Sequence, residues 1–165
     1  MLVSSTIIQG TETMRKTGFA SLAIFYYDFR EDQKKDLRGL LLSVLVQLCR
    51  QSDSYCDVLS KLYSEDENGS QDPADDVLVR CLKDLLELPG QAPIFLIVDA
   101  LDECPNTSAL SSPREEVLVF LEDLIDSRPT RTCVYASQAD LRPTSRLSSS
   151  HYLSVLSPYT TRADK

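Results

Sequence analysis

The chain has 165 residues, 42% of them hydrophobic, with 25 acids against 17 bases and a formal net charge of -8. This is the size and composition of one globular domain. It argues against a basic nucleic-acid stripe, against an apolar membrane span of roughly 20 residues and, with His151 as the single histidine, against a His-based triad or zinc centre. Cys49, Cys56, Cys81, Cys104 and Cys133 form no CxxC pair, and the first residues lack a basic-then-apolar secretory layout. An odd thiol count without such a leader points to a reducing compartment, so a cytoplasmic location is expected.

In chain order, residues 2–16 predict a helix closed by Gly18 as C-cap. Residues 20–29, Ala-Ser-Leu-Ala-Ile-Phe-Tyr-Tyr-Asp-Phe, predict a strand, with Tyr26, Tyr27 and Phe29 read as sheet core and edge packing. Asp36 is placed to cap a helix whose apolar positions are Leu37, Leu40, Leu41, Val44, Leu45, Leu48 and Cys49. Leu42 and Val46 widen that stripe, so the helix is expected to be buried around most of its circumference. Residues 64–72 are acidic around Asn68-Gly69 and read as a loop. Asp72-Pro73 then starts a helix as N-cap and first residue, with Val77, Cys81, Leu82, Leu85 and Leu88 on its apolar face. Pro89-Gly90 ends it. After a strand at 93–99 and a loop at 104–112, Ser112-Pro113-Arg114-Glu115 is a capping box. Val117, Leu118, Leu121, Leu124 and Ile125 give the last amphipathic face. Short strands at 132–137 and 152–156 are weaker signals. Helices alternating with strands predict an α/β fold with a parallel sheet.

The strand at 93–99 carries the chemistry. Ile94-Phe-Leu-Ile-Val98 is an apolar run of the kind a parallel sheet buries on both faces. It runs into Asp99, with Asp102 and Glu103 close behind. An acid at the carboxyl end of such a strand sits where open α/β sheets bind ligands. Mg²⁺-assisted phosphoryl transfer needs this layout: one carboxylate holds the metal and a second orients or deprotonates the attacking water. The pattern is that of a Walker B box. The bland alternative is a loop whose acids cap the next element.

The ordered set Ser-Ser-Thr-Ile-Ile-Gln (4–9), Phe-Tyr-Tyr-Asp-Phe-Arg (25–30), Leu-Leu-Leu-Ser-Val-Leu-Val-Gln-Leu (40–48), Cys-Leu-Lys-Asp-Leu-Leu (81–86) and Val-Asp-Ala-Leu-Asp-Glu-Cys (98–104) resembles the NACHT-type nucleotide-binding domain of fungal STAND NTPases. These are NLR-like signal proteins, often labelled nephrocystin-like at their N-terminal region. The resemblance implies a three-layer P-loop NTPase sheet that binds ATP or GTP with Mg²⁺ and couples nucleotide state to oligomerisation. It makes Asp99 the Mg²⁺ ligand, and Asp102 with Glu103 the catalytic pair that handles water. The chain departs from the family twice. No GxxxxGK[ST], the loop that cradles phosphates with backbone N–H groups and a lysine, occurs in it. Met1 stands near where that loop would end, so the Walker A strand and loop are expected to be missing and the sheet incomplete. In addition, Val134-Tyr-Ala-Ser-Gln-Ala-Asp140 stands where the family carries a γ-phosphate sensor arginine.

The expected organisation is therefore a partial NACHT-type domain at 1–128 and a divergent tail at 129–165, rich in Ser, Thr, Arg and Pro. Back-translated and read one base earlier, that tail is compatible with family-like strings in the right order, so a frame change near Arg128–Pro129 is one account and disorder is another. Three functions follow. The first is a fragment of an NTP-binding signalling domain without turnover, and with no cofactor bound by the chain alone. The second is a decoy module that self-associates or docks on full-length NACHT homologues through sheet edges left unpaired. The third is an active Mg²⁺-dependent ATP or GTP hydrolase. Neither nucleic acid nor membrane is expected as a partner.

Overall fold

A computed structural model of the chain describes residues 2–65, 72–106, 112–127 and 132–136. The order of elements is α1 (Leu2–Lys16), β1 (Ser21–Tyr26), a 3₁₀ turn (Asp32–Lys34), α2 (Leu37–Cys49), α3 (Asp53–Glu65), α4 (Asp75–Leu86), β2 (Ile94–Asp99), a second 3₁₀ turn (Leu101–Glu103), α5 (Pro113–Asp126) and β3 (Thr132–Ala136). The fold is α/β. Its three described strands form one parallel sheet in the order β1-β2-β3, flanked by helices.

Local chemistry accounts for most boundaries. Gly18 ends α1 at φ 74, a left-handed conformation that glycine adopts without a Cβ penalty, and Phe19 N–H returns to the Met14 carbonyl at 2.9 Å. Asp36 caps α2 by accepting from Gly39 N–H at 2.8 Å. Ser112 caps α5 by accepting from Glu115 N–H at 3.2 Å, with Pro113 as the first helical residue.

Several expectations need correction. β1 stops at Tyr26 rather than residue 29, because the Asp28 carboxylate accepts from Arg30 N–H at 3.0 Å and turns the chain. Asp72 is not the cap of α4. That helix starts at Asp75 behind Ala74, and Arg38 draws the acids away, bonding Asp75 at 2.7 Å and lying 3.8 Å from Asp72. The apolar face of α4 is Leu78, Cys81, Leu82, Leu85 and Leu86, with Val77 and Leu88 only half-buried. Val46 is 44% exposed, so α2 is less enclosed than its composition implies. Tyr27 is buried, whereas Tyr26 and Phe29 are exposed. Helix α3 was not anticipated, although Tyr55, Val58, Leu59 and Leu62 recur at helical spacing in the sequence. The strand expected at 152–156, the tail outside β3 and the Asn68-Gly69 loop centre lie outside the described residues.

The main core lies on one face of the sheet. Ala23, Leu96 and Val134 are in register across the three strands, as are Phe25, Val98 and Ala136. They pack with Leu40, Leu41, Val44, Leu45 and Leu48 of α2, with the α4 leucines, and with Val117, Phe120, Leu121 and Leu124 of α5. Leu22, Ile97 and Cys133 are buried but outside this cluster, as the alternation of strand side chains requires. With β2 in the middle, its carboxyl end opens between two neighbouring strands.

Candidate functional site

β2 delivers Asp99 to the carboxyl edge of the sheet, half-buried and in register with Tyr26. The Asp99 carbonyl accepts from Tyr27 N–H at 3.1 Å, which ties the end of β2 to the exit of β1. One carboxylate oxygen of Asp99 accepts from Ala100 N–H at 2.9 Å. Ala100 then takes φ 58 and ψ 42, the sole non-glycine residue at positive φ among the described residues. This left-handed step reverses the chain at once into the turn Leu101–Glu103. Leu101 points into the core, Asp102 is exposed and Glu103 is half-buried. Cys104, buried, donates its thiol to the Lys35 carbonyl at 3.3 Å.

The β1–α2 connection forms the other wall. Arg30 makes a two-pronged contact with Asp28, at 2.9 Å from both Nε and Nη2. It lies 5.9 Å from the Phe29 ring centroid. The Arg30 hydrogen bonds hold the Asp28 carboxyl down at about 2. Bonding to Asp28 raises Arg30, and the charge of Glu103 in the turn after β2 adds to that rise. Burial first, and then the Asp99 charge, push the Tyr26 phenol up. Tyr27 is raised by burial and then by Cys104 and Asp36. Its hydroxyl is buried without a hydrogen-bond partner among the described residues, and its ring meets Phe25 edge-on at 4.8 Å.

Asp99, Asp102 and Glu103 thus occupy one strand end and the turn that follows it. Among the described residues no three His, Cys, Asp or Glu side chains converge on a point that could hold a metal ion. Residues 1–137 match the family of nephrocystin 3 N-terminal regions. The chain belongs to that family. No curated protein and no solved structure matches it.

Three features of this nephrocystin 3 N-terminal domain escaped the sequence. The left-handed Ala100 has no compositional signal, since glycine or asparagine is the usual marker of such a step. The Asp28–Arg30 pair was hidden because Asp28 was assigned to a strand running to residue 29, whereas β1 stops at Tyr26. The position of Tyr26 beside Asp99 depends on strand register. Among the described residues no helix is long and apolar enough to cross a membrane.

Proposed function

We propose that the chain is a signalling domain of P-loop NTPase ancestry, of the NACHT type, that keeps the acidic half of a nucleotide site and does not turn over nucleoside triphosphate by itself. The observation that carries this reading is Asp99 at the carboxyl end of the middle parallel strand, followed directly by a tight turn bearing Asp102 and Glu103. Open α/β sheets bind ligands at this edge. Membership of the nephrocystin 3 N-terminal family agrees with the nephrocystin-like part of the resemblance.

The donor set fits Mg²⁺ of a particular kind. Mg²⁺ is commonly held by one or two carboxylates, with phosphate oxygens and waters completing its shell. Among the described residues no group of three potential ligands surrounds this strand-end aspartate, which suits such an ion better than a protein-only metal site. Asp99 would hold the metal, whose charge would offset that of the phosphates. Asp102 and Glu103 would orient a water or take its proton. The phosphate-holding half is a different matter: without GxxxxGK[ST] in the 165 residues, no lysine and amide cradle is at hand. Hydrolysis would need a cradle that these 165 residues do not carry.

Calorimetry with Mg·ATP and Mg·GTP, on the chain and on Asp99→Ala, tests this. No heat at millimolar nucleotide is the expected result. Binding that the substitution abolishes would mean that a working phosphate site exists without that loop, and the reading would fail. The second reading is a non-catalytic module that docks on full-length relatives. It is favoured by β3, which is an outer strand among the described residues. Co-purification with a full-length homologue is its expected signature.

A further inference from the structure

The other outer strand among the described residues, β1, is closed at Leu22 and Ile24, and two glutamines close it. Along β1, Ser21 N–H donates to the Pro93 carbonyl at 2.8 Å and Tyr27 N–H to the Asp99 carbonyl at 3.1 Å, so the odd-numbered residues face β2. Leu22, Ile24 and Tyr26 therefore turn their amides and carbonyls to the outer edge, because both polar groups of a strand residue point to the same side. Gln51 Oε1 accepts from Leu22 N–H at 2.9 Å, and Gln51 Nε2 donates to the Leu22 carbonyl at 2.7 Å. Gln47 repeats the pattern on Ile24, at 3.0 and 2.8 Å. Each side-chain amide thus imitates the paired donor and acceptor of a neighbouring strand.

The spacing explains why a helix can do this. Four helical residues rise about 6 Å. Two strand residues rise about 6.5–7 Å. Glutamines four apart on and just after α2 therefore match alternate residues of β1, with helix and strand running in opposite senses. The second N–H of each amide is also used: Gln47 donates to Ser43 Oγ at 3.0 Å and Gln51 to the Gln47 carbonyl at 2.8 Å. A flipped amide would set NH₂ against N–H, so the network fixes one orientation. One turn earlier, at the position that would serve Tyr26, stands Ser43, and its hydroxyl takes the Gln47 amide instead.

We infer that Gln47 and Gln51 are a sheet terminator: they fill the hydrogen-bonding positions that an incoming strand would use, and so bar an extended peptide or a second copy of this chain from adding at β1. Unpaired strand edges are templates for such pairing. Among the described strands, this leaves β3 as the edge at which a further strand could join. The inference concerns the opposite side of the sheet from β3 and stands whether or not the chain binds nucleotide.

Residue-resolved hydrogen exchange on the full chain tests it, with Gln47→Met/Gln51→Met as the variant. Methionine keeps an unbranched side chain and loses both polar partners. Ala23 and Phe25, which face β2, are internal controls. In the native chain Leu22 and Ile24 should be protected like the controls. In the variant they should exchange at least tenfold faster while the controls hold. A labelled peptide of the β1 sequence, Ser21–Tyr26, should bind the variant and not the native chain in a competition with unlabelled peptide. Native Leu22 and Ile24 amides that exchange as fast as loop amides would overturn the inference. So would equal acceleration at all four positions, which would make the glutamines general supports of the helix–strand contact, or peptide binding that the substitutions leave unchanged.

Discussion

Gly39→Ala should destabilise the chain although it places a better helix former in a helix. Gly39 lies in the first turn of α2, its N–H held by Asp36. A Cβ there would collide with the Gln33 backbone carbonyl, whose carbon would lie 2.9 Å away. That carbonyl belongs to the 3₁₀ turn Asp32–Lys34, fastened by Lys34 N–H to the Glu31 carbonyl at 2.9 Å and by Asp28 N–H to the Lys34 carbonyl at 3.0 Å. It cannot swing aside as a flexible side chain would. Alanine gains about 0.8–1 kcal/mol of helix propensity over glycine. Overpacking of this kind costs about 1–3 kcal/mol, and a backbone obstacle puts it in the upper part of that range. The net loss is about 1–2 kcal/mol, or about 2–8 °C in Tm for a chain of this size. Gly10→Ala, in the middle of α1 with nothing within 4 Å of the new Cβ, should instead gain about 0.5–1 kcal/mol. Thermal and urea unfolding followed by circular dichroism compares the two. Gly39→Ala stabilising the chain as Gly10→Ala does would refute the close approach.

Three other outcomes follow from the same geometry. Asp28 is held down at about 2 by Arg30, below its ordinary 3.8; with the folded value below the unfolded one, the order it gives the β1–α2 connection is present above about pH 4 and lost as pH falls through about 2. Carboxyl NMR should show that midpoint, and Arg30→Ala should return it towards the ordinary value. Ala100→Gly should stabilise the chain by about 0.5–1 kcal/mol, because relief of a left-handed alanine, about 1–2 kcal/mol, exceeds the added entropy of the unfolded chain, about 0.4–1 kcal/mol; a loss in urea unfolding would contradict the strained turn. Among the thiols of described residues, native alkylation at pH 8 read by mass spectrometry should mark Cys56 first, since Cys56 is exposed, burial pushes Cys49 and Cys104 up to about 11, and Cys81 and Cys133 are buried. Early modification of Cys104 would show that the turn after Asp99 opens.

The parts of the fold that could be read in advance are those whose signal is local. Asp36 and Ser112 announce helix starts by a side-chain oxygen three residues ahead of an amide, and Ile94–Val98 announces a buried strand by its unbroken apolar run. Asp72 misled because the same signal competes with a distant arginine: Arg38 is remote in sequence and takes the carboxylates that a local rule assigns to the helix end. Val46 misled because hydrophobic composition does not say which side of a helix the sheet covers. Gln47 and Gln51 had a visible spacing, on and just after a largely apolar helix, yet its meaning requires knowing that β1 lies alongside and which of its residues face outwards. Asp99 was legible from the strand that carries it, whereas the left-handed step at Ala100 has no local marker and the position of Tyr26 beside Asp99 depends on register.

These contacts decide what the acidic end of the sheet is mechanically. Tyr27 N–H binds the Asp99 carbonyl, the Cys104 thiol binds the Lys35 carbonyl, and Arg30 feels Glu103. The turn after β2 is therefore fastened to the β1–α2 connection at its start and at its end, with a charge attraction between. The connection in turn ends at Asp36, the cap of α2, and Gln47 of α2 with Gln51 just after it holds the outer edge of β1. A charge placed beside Asp99 would press on a closed circuit of hydrogen bonds that runs from the strand end through the connection into α2 and back to β1. Two of these links, Tyr27 N–H to the Asp99 carbonyl and the Cys104 thiol to the Lys35 carbonyl, are donated by buried residues, whereas the Arg30 side chain is 74% exposed, so the ends of the turn are fixed and its charged middle is open to solvent.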